Sequence, residues 1–271
     1  MNYNRTIFFF LSSVIFLSLI NSCKKEKFFT IDLYGHAGNG LDIVNSVYHD
    51  NSQESIEFAL GLEGTTGVEV DMRMSADGGL WLYHDDLLET ETSGSGCVSQ
   101  KTNSELNEIR YNTVNKEKLV NFSNLPFINY GNTTFLLDVR HYNGCDFFPI
   151  DYNLFVSKII DLRNNHPSIK FVILTTFDDW IPLFIAQGME VYFEISNVAN
   201  LDSATPNTLS CQGYIIKNQF IDKNEVAKIQ AENKKVIIFE LRSPKKIREA
   251  LKKNPNGIVT DDLRAAIIEK H

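Results

Sequence analysis

From residue 30 onward the chain alternates short apolar, β-rich runs with longer stretches whose apolar residues recur at helical spacing. Eight runs read as strands: 30–34, 67–72, 134–139, 170–175, 190–195, 213–217, 235–241 and 257–260. Their apolar residues are continuous rather than alternating with polar ones, the pattern of parallel strands buried on both faces. The stretches between them carry helix start and stop signals. Ser52-x-x-Ser55 opens a helix with Ile56, Ala59 and Leu60 on one face, and Asp222-x-x-Glu225 is a capping-box pattern ahead of Val226 and Ile229. Ser243-Pro244 sets a cap residue before a first-turn proline; Ile247 and Leu251 follow, and Asn254-Pro255-Asn256-Gly257 stops the helix. Asp179 precedes Trp180, Leu183 and Phe184 in a helix expected to end near Gly188.

Eight strands with helices between them predict an α/β fold, a (β/α)8 TIM barrel over residues 30–271, with a doubly wound open sheet as its rival. A ninth apolar run, 80–83, follows Ala76-Asp77-Gly78-Gly79. That turn is too short for a crossover helix, so it predicts a hairpin addition after the second strand. Residues 85–132 are long for a strand-to-helix connection and are expected to form an insert or lid over the site.

The N-terminus has a different pattern. Arg5 precedes an almost unbroken apolar stretch, 7–20, shorter than the roughly 20 residues a membrane span needs and suited to a signal h-region. It ends in Leu19-Ile20-Asn21-Ser22-Cys23 and turns abruptly polar at Lys24-Lys25-Glu26-Lys27. A small residue before a cysteine in that position resembles the bacterial lipobox. Residues 1–22 are therefore expected to be a lipoprotein signal peptide, Cys23 the lipidated residue, and 23–29 a tether. Lys24 lacks the Asp associated with inner-membrane retention, which favours an exported protein anchored at the outer membrane of the cell envelope.

Charge narrows the partners. With 26 Lys and Arg against 34 Asp and Glu, the formal net charge is −8, which argues against nucleic acid. Beyond Cys23 the cysteines are Cys97, Cys145 and Cys211, none with metal-site spacing, in a compartment that permits disulfides. Cys97 lies in the long segment after His84, and Cys145 closely follows Arg140, so both leave the same end of neighbouring barrel units. Cys211 precedes the sixth strand at the opposite end. A Cys97–Cys145 bridge with Cys211 free is the expected pairing; three unpaired buried thiols are the alternative.

The candidate chemistry sits where a barrel collects it, at the C-terminal ends of the strands. The first strand leads into Gly35-His36-Ala37-Gly38. The second contains Glu69-Val70-Asp71, whose carboxylates at i and i+2 share a face. The hairpin ends in His84-Asp85-Asp86, and the third strand in Leu137-Asp138-Val139-Arg140. Glu69, Asp71 and Asp138 make an all-oxygen site suited to Ca2+ or Mg2+. His36 and His84 beside it fit a general acid and base, and Arg140 fits a phosphate oxygen. The competing reading is that the carboxylates only form ion pairs with Arg73 and Arg140, which leaves several buried carboxylates short of positive charge.

These residues, in this order, resemble the glycerophosphodiester phosphodiesterase family, a barrel family within the phospholipase C-like phosphodiesterases. His36-Ala37-Gly38 resembles its His-Arg-Gly, and Gln53-Glu54-Ser55 its Pro-Glu-Asn-Thr. Glu69-Val70-Asp71, Ser75-Ala76-Asp77-Gly78 and His84-Asp85 are similar to its most specific stretch. The 135–140 run, Thr176-Phe177-Asp178, the 236–242 run and the closing Gly257-Ile258-Val259-Thr260-Asp261 match later motifs. The resemblance implies His36 and His84 as the acid/base pair. It implies Glu69, Asp71 and Asp138 as ligands of one divalent cation, Ca2+ or Mg2+. Arg140 and Lys217 are expected to bind the phosphate of a small-molecule phosphodiester substrate. Departures are plain: Ala37 stands for the family Arg, Asp138 for a Glu, Arg140 for a Lys, and Glu240 and Arg242 for a Thr and an Asn. The implied activity is hydrolysis of a glycerol- or polyol-based phosphodiester outside the cytoplasm. Phospholipase C- or D-like attack on intact lipid, and a surface binding module without turnover, are the alternatives.

Overall fold

A computed structural model of the chain describes residues 30–40, 47–140, 142, 145 and 150–271; the expected signal peptide, Cys23 and the tether lie outside them. Among the described residues there are ten strands: β1 (Asp32–Gly35), β2 (Gly67–Met74), β3 (Leu80–Leu82), β4 (Val120–Asn121), β5 (Thr134–Val139), β6 (Lys170–Thr175), β7 (Glu190–Ile195), β8 (Gly213–Lys217), β9 (Lys235–Leu241) and β10 (Gly257–Thr260). Eight of them run parallel in the order β1-β10-β9-β8-β7-β6-β5-β2, and β1 pairs back onto β2 to close the ring. The open sheet is excluded. The fold is a TIM-like barrel, extended by β3, antiparallel to the outer end of β2, and by β4, antiparallel to β3.

The continuous apolar runs divide cleanly once the strands are paired. Val68, Val70, Phe135, Leu137, Ile173, Val191, Ile216 and Ile238 face the helical layer and join the main core. Their neighbours Tyr34, Leu136, Val172, Leu174, Tyr192, Ile215, Ile237 and Val259 fill the barrel interior. Both faces exclude water over the middle of the barrel, so polar side chains gather at its two mouths. At the N-terminal mouth the interior ends in charge, with Lys170 2.7 Å and Lys235 3.7 Å from Glu190.

The helices are α1 (Gln53–Leu60), α2 (Asn103–Asn107), α3 (Tyr152–Asn165), α4 (Ile181–Ile185), α5 (Pro206–Ser210), α6 (Lys223–Ala231), α7 (Pro244–Leu251) and α8 (Leu263–Lys270). Ser52, Asp222 and Ser243 accept backbone N–H bonds from Ser55, Glu225 and Lys246, as the cap patterns require. None of the described helices is long and apolar enough to cross a membrane.

The segment after β3 builds a satellite. Trp81 and Tyr83 pack with Leu88, Val98, Leu106, Ile109, Tyr111 and Leu119 into a separate apolar cluster. Its far end is riveted to the outer barrel wall by edge-on aromatic contacts of Phe122 and Phe127 with Phe135 and Phe171. A disulfide joins Cys97 of this segment to Cys145 beyond β5, Cα to Cα 6.2 Å, and Cys211 is a free buried thiol. The insert is thus a side domain: none of its described residues lines the catalytic cavity.

Candidate active site

The loop after β1 is folded too tightly for any side chain at Gly35, whose Cβ would stand 1.8 Å from the Gly38 carbonyl oxygen. Ala37 takes a left-handed backbone, φ 46°, and Gly38 follows at φ 94°. This turn aims the Ala37 N–H at Glu69 Oε2, 2.8 Å away, and brings His36 Nε2 to 3.8 Å from the same carboxylate. Ala37 itself is fully buried, so the position of the family Arg offers only its backbone.

Glu69 and Asp71 point inward from β2, and Asp138 and Arg140 from β5 and its end. One oxygen from each of Glu69, Asp71 and Asp138 lies within 4.8 Å of the others. The pairing alternative is realised in part. Arg140 Nε is 3.1 Å from Asp71 Oδ1, Nη2 contacts the same oxygen, and Nη2 lies 2.8 Å from Asp138 Oδ2. Arg73 does not join them; it donates to the carbonyls of Tyr83, His84 and Tyr142 and pairs with Asp86 at 2.9 Å.

One guanidinium cannot neutralise three carboxylates, of which Glu69 and Asp71 are buried and Asp138 is half-buried. Burial would raise Asp71, but Arg140, His84 and Asn51 more than reverse it and hold that carboxyl well below the usual range. Burial and repulsion by Asp71 push Glu69 up, and burial set against Arg140 leaves Asp138 raised. The cluster is short of positive charge, and its donors are all oxygen. It fits a divalent cation.

Both histidines are braced alike. His36 Nδ1 is 2.7 Å from Asp261 Oδ1, and His84 Nδ1 is 2.7 Å from Asp85 Oδ1. Each ring therefore keeps Nε2 for the cavity. Burial depresses His36, but the Asp261 hydrogen bond and the charges of Glu69, Asp261 and Asp71 outweigh it and lift His36 to about 9.

His36, Glu69, His84, Asp138 and Arg140 line one cavity of about 300 Å³. Lys217 shares it, its Nζ 3.5 Å from Glu240 Oε1, and Arg242 stands at the rim, 3.6 Å from Asp261. Asp71 lies just behind the lining, 1 % exposed, where Asn51 donates to its Oδ2 at 2.8 Å and accepts its N–H at 3.0 Å. Glu54, within the Gln53-Glu54-Ser55 match, is exposed on α1 and takes no part.

Three residues were not anticipated. Asn51 and Asp261 support the cluster, and Glu194 enters the cavity from β7, pushed up to about 7 by burial and by Asp138. The signals were weak: Asn51 sits beside a helix cap, Asp261 closes a terminal motif, and Glu194 reads as strand alternation.

A closed parallel barrel with a carboxylate cluster and two aspartate-braced imidazoles at its C-terminal mouth defines a class, the barrel hydrolases that work on phosphate esters with a divalent ion. The glycerophosphoryl diester phosphodiesterase family model matches residues 36–265. The chain belongs to that family and is a glycerophosphodiester phosphodiesterase-like hydrolase.

Solved structures agree on the fold. An Oleispira antarctica phosphodiesterase, solved in complex with the product sn-glycerol-3-phosphate, is 17% identical with TM-score 0.73, over 89% of this chain and 97% of that one. A glycerophosphodiester phosphodiesterase of Agrobacterium tumefaciens is 14% identical with TM-score 0.70, over 89% and 99%. One from Parabacteroides distasonis is 17% identical with TM-score 0.67, over 86% and 93%. A search of the curated proteins found no match.

Proposed function

We propose that the chain hydrolyses a glycerol- or polyol-based phosphodiester outside the cytoplasm. The observation that carries this reading is convergence: two braced imidazoles, a carboxylate cluster and Arg140 meet in one cavity. The Oleispira antarctica neighbour, solved with sn-glycerol-3-phosphate, supports a glycerophosphate-type ligand.

Glu69, Asp71 and Asp138 would hold the divalent cation, Ca2+ or Mg2+, which supplies polarisation of the phosphoryl oxygens. Arg140 and Lys217 bind the phosphate; the Arg140 fork leaves Asp71 and Asp138 to do so and takes over the role of the missing Arg at Ala37. One imidazole takes the proton from the attacking hydroxyl at its Nε2. The other gives a proton to the departing alkoxide, which leaves as a neutral alcohol while the phosphate product keeps its negative charge; water then opens any cyclic phosphate that an attacking substrate hydroxyl has formed. Asp261 and Asp85 hold the two rings in the tautomer this exchange needs.

The test is turnover by the purified mature domain on a panel of glycerophosphodiesters and intact phospholipids, with and without chelator. Chelator-sensitive release of glycerol 3-phosphate is expected. Turnover of intact lipid alone would reassign it as a phospholipase, and binding without turnover would make it a receptor-like module.

The location belongs to the same proposal. The lipobox-like Ser22-Cys23 supports export and lipid anchoring at the cell envelope, the outer membrane favoured. The Cys97–Cys145 bridge is consistent with an oxidising compartment.

A further inference from the structure

Outside the catalytic cavity, His49, Asp50 and Glu91 form a second cluster, with one ligand atom from each within 4.8 Å of the others. The first two lie in the loop leading to α1, and Glu91 lies at the start of the side domain, so the cluster spans two parts of the fold. His49 Nδ1 is 2.8 Å from both the carbonyl oxygen and Oδ1 of Asp50. That bond leaves the Nε2 lone pair on the other side of the ring, 3.7 Å from Glu91 Oε2. Two ligand bonds of about 2.1 Å around one ion would span that gap.

A second observation points to a ligand at this cluster. Glu91 Oε2 and the Tyr111 hydroxyl are buried, and neither has a hydrogen-bond partner. Tyr111 is only 1 % exposed, stacks on the His49 ring with centroids 3.7 Å apart, and lies in the field of Asp50 and Glu91. Buried polar groups are almost always satisfied, so two orphans in one place call for an ion with its water shell. Among the described residues, His49 is the one basic side chain paired with either carboxylate.

We propose that His49 Nε2 and Glu91 bind a second divalent ion, with Asp50 orienting the imidazole through Nδ1 and the Tyr111 hydroxyl meeting a water on the ion. An imidazole beside a carboxylate suits an ion of the zinc or manganese class rather than the hard ion of the all-oxygen cluster. The site is structural. It clamps the side domain to the loop whose next residue, Asn51, holds Asp71.

Stoichiometry tests it. The mature domain, stripped with chelator, is titrated with Mn2+ by calorimetry and by electron paramagnetic resonance. Wild type should bind two equivalents. Glu91→Gln and His49→Gln should each lose one or weaken it at least about tenfold. Glu69→Gln should keep the outer equivalent while losing the catalytic one. A single equivalent in wild type, or a second one indifferent to Glu91→Gln, overturns the proposal. If the outer-site variants do not fold, Glu69→Gln alone decides: one Mn2+ retained supports the site, none refutes it. Because binding is read without substrate, failure here leaves the hydrolase assignment standing, and failure of hydrolysis leaves this site standing.

Discussion

His36 takes its chemistry from a residue 225 positions away, Asp261, through a 2.7 Å contact. In the metal-free domain, Asp261→Asn should bring the His36 titration down from about 9 toward the ordinary imidazole value of 6.5, read by imidazole NMR. A raised imidazole stabilises the fold fully below 6.5, and that contribution is lost as pH climbs through about 9. Metal-free wild type should therefore lose stability relative to Asp261→Asn across this window, which denaturant midpoints at several pH values would measure. Replacing either imidazole removes a positioned acid or base: His36→Ala and His84→Ala should each lower turnover about 10²–10⁴-fold with the circular dichroism spectrum unchanged. Near-native turnover by either variant would remove that residue from the mechanism. Asn51→Ala should weaken catalytic cation binding about tenfold by calorimetry, because it frees Asp71 to swing. Unchanged affinity would leave Asn51 a purely structural bond.

At the scale of elements, most of the barrel was legible. Six of the eight barrel strands begin and end where their apolar runs do, because strands buried on both faces tolerate few polar interruptions. Capped helices were equally readable, since Ser52, Asp222 and Ser243 bond groups three residues on. The insert was expected from its length, but its internal elements were not. Its segments are short turns held by a local aromatic cluster, and no period marks such packing. The bridge to Cys145 closes a span of 48 residues, which chain entropy values at about 4 kcal/mol. The Cys97→Ser, Cys145→Ser double variant should lose roughly 2–4 kcal/mol in urea unfolding. Equal stability would mean that the aromatic rivets alone hold the side domain.

For the whole molecule, the proposed export and anchoring are open to direct measurement. Mass spectrometry of the mature N-terminus from the native host should find a lipid-modified Cys23; a free terminus beyond Cys23 would end that reading. The sequence by itself determined eight buried parallel strands, the hairpin and the order of the motifs, because strand burial and helix caps are local properties written at fixed spacing; ring closure through β1 and β2 was left to the tertiary structure. It also brought candidate side chains together, since a carboxylate pair at i and i+2 must share a face of a strand. Only the tertiary structure decided how those groups are wired. Closure of β10 against β1 brings Asp261 to His36, and the turn before α1 carries Asn51 to Asp71. Such contacts depend on three-dimensional closure between distant segments, and no local pattern of polarity records which distant carboxylate an imidazole will meet.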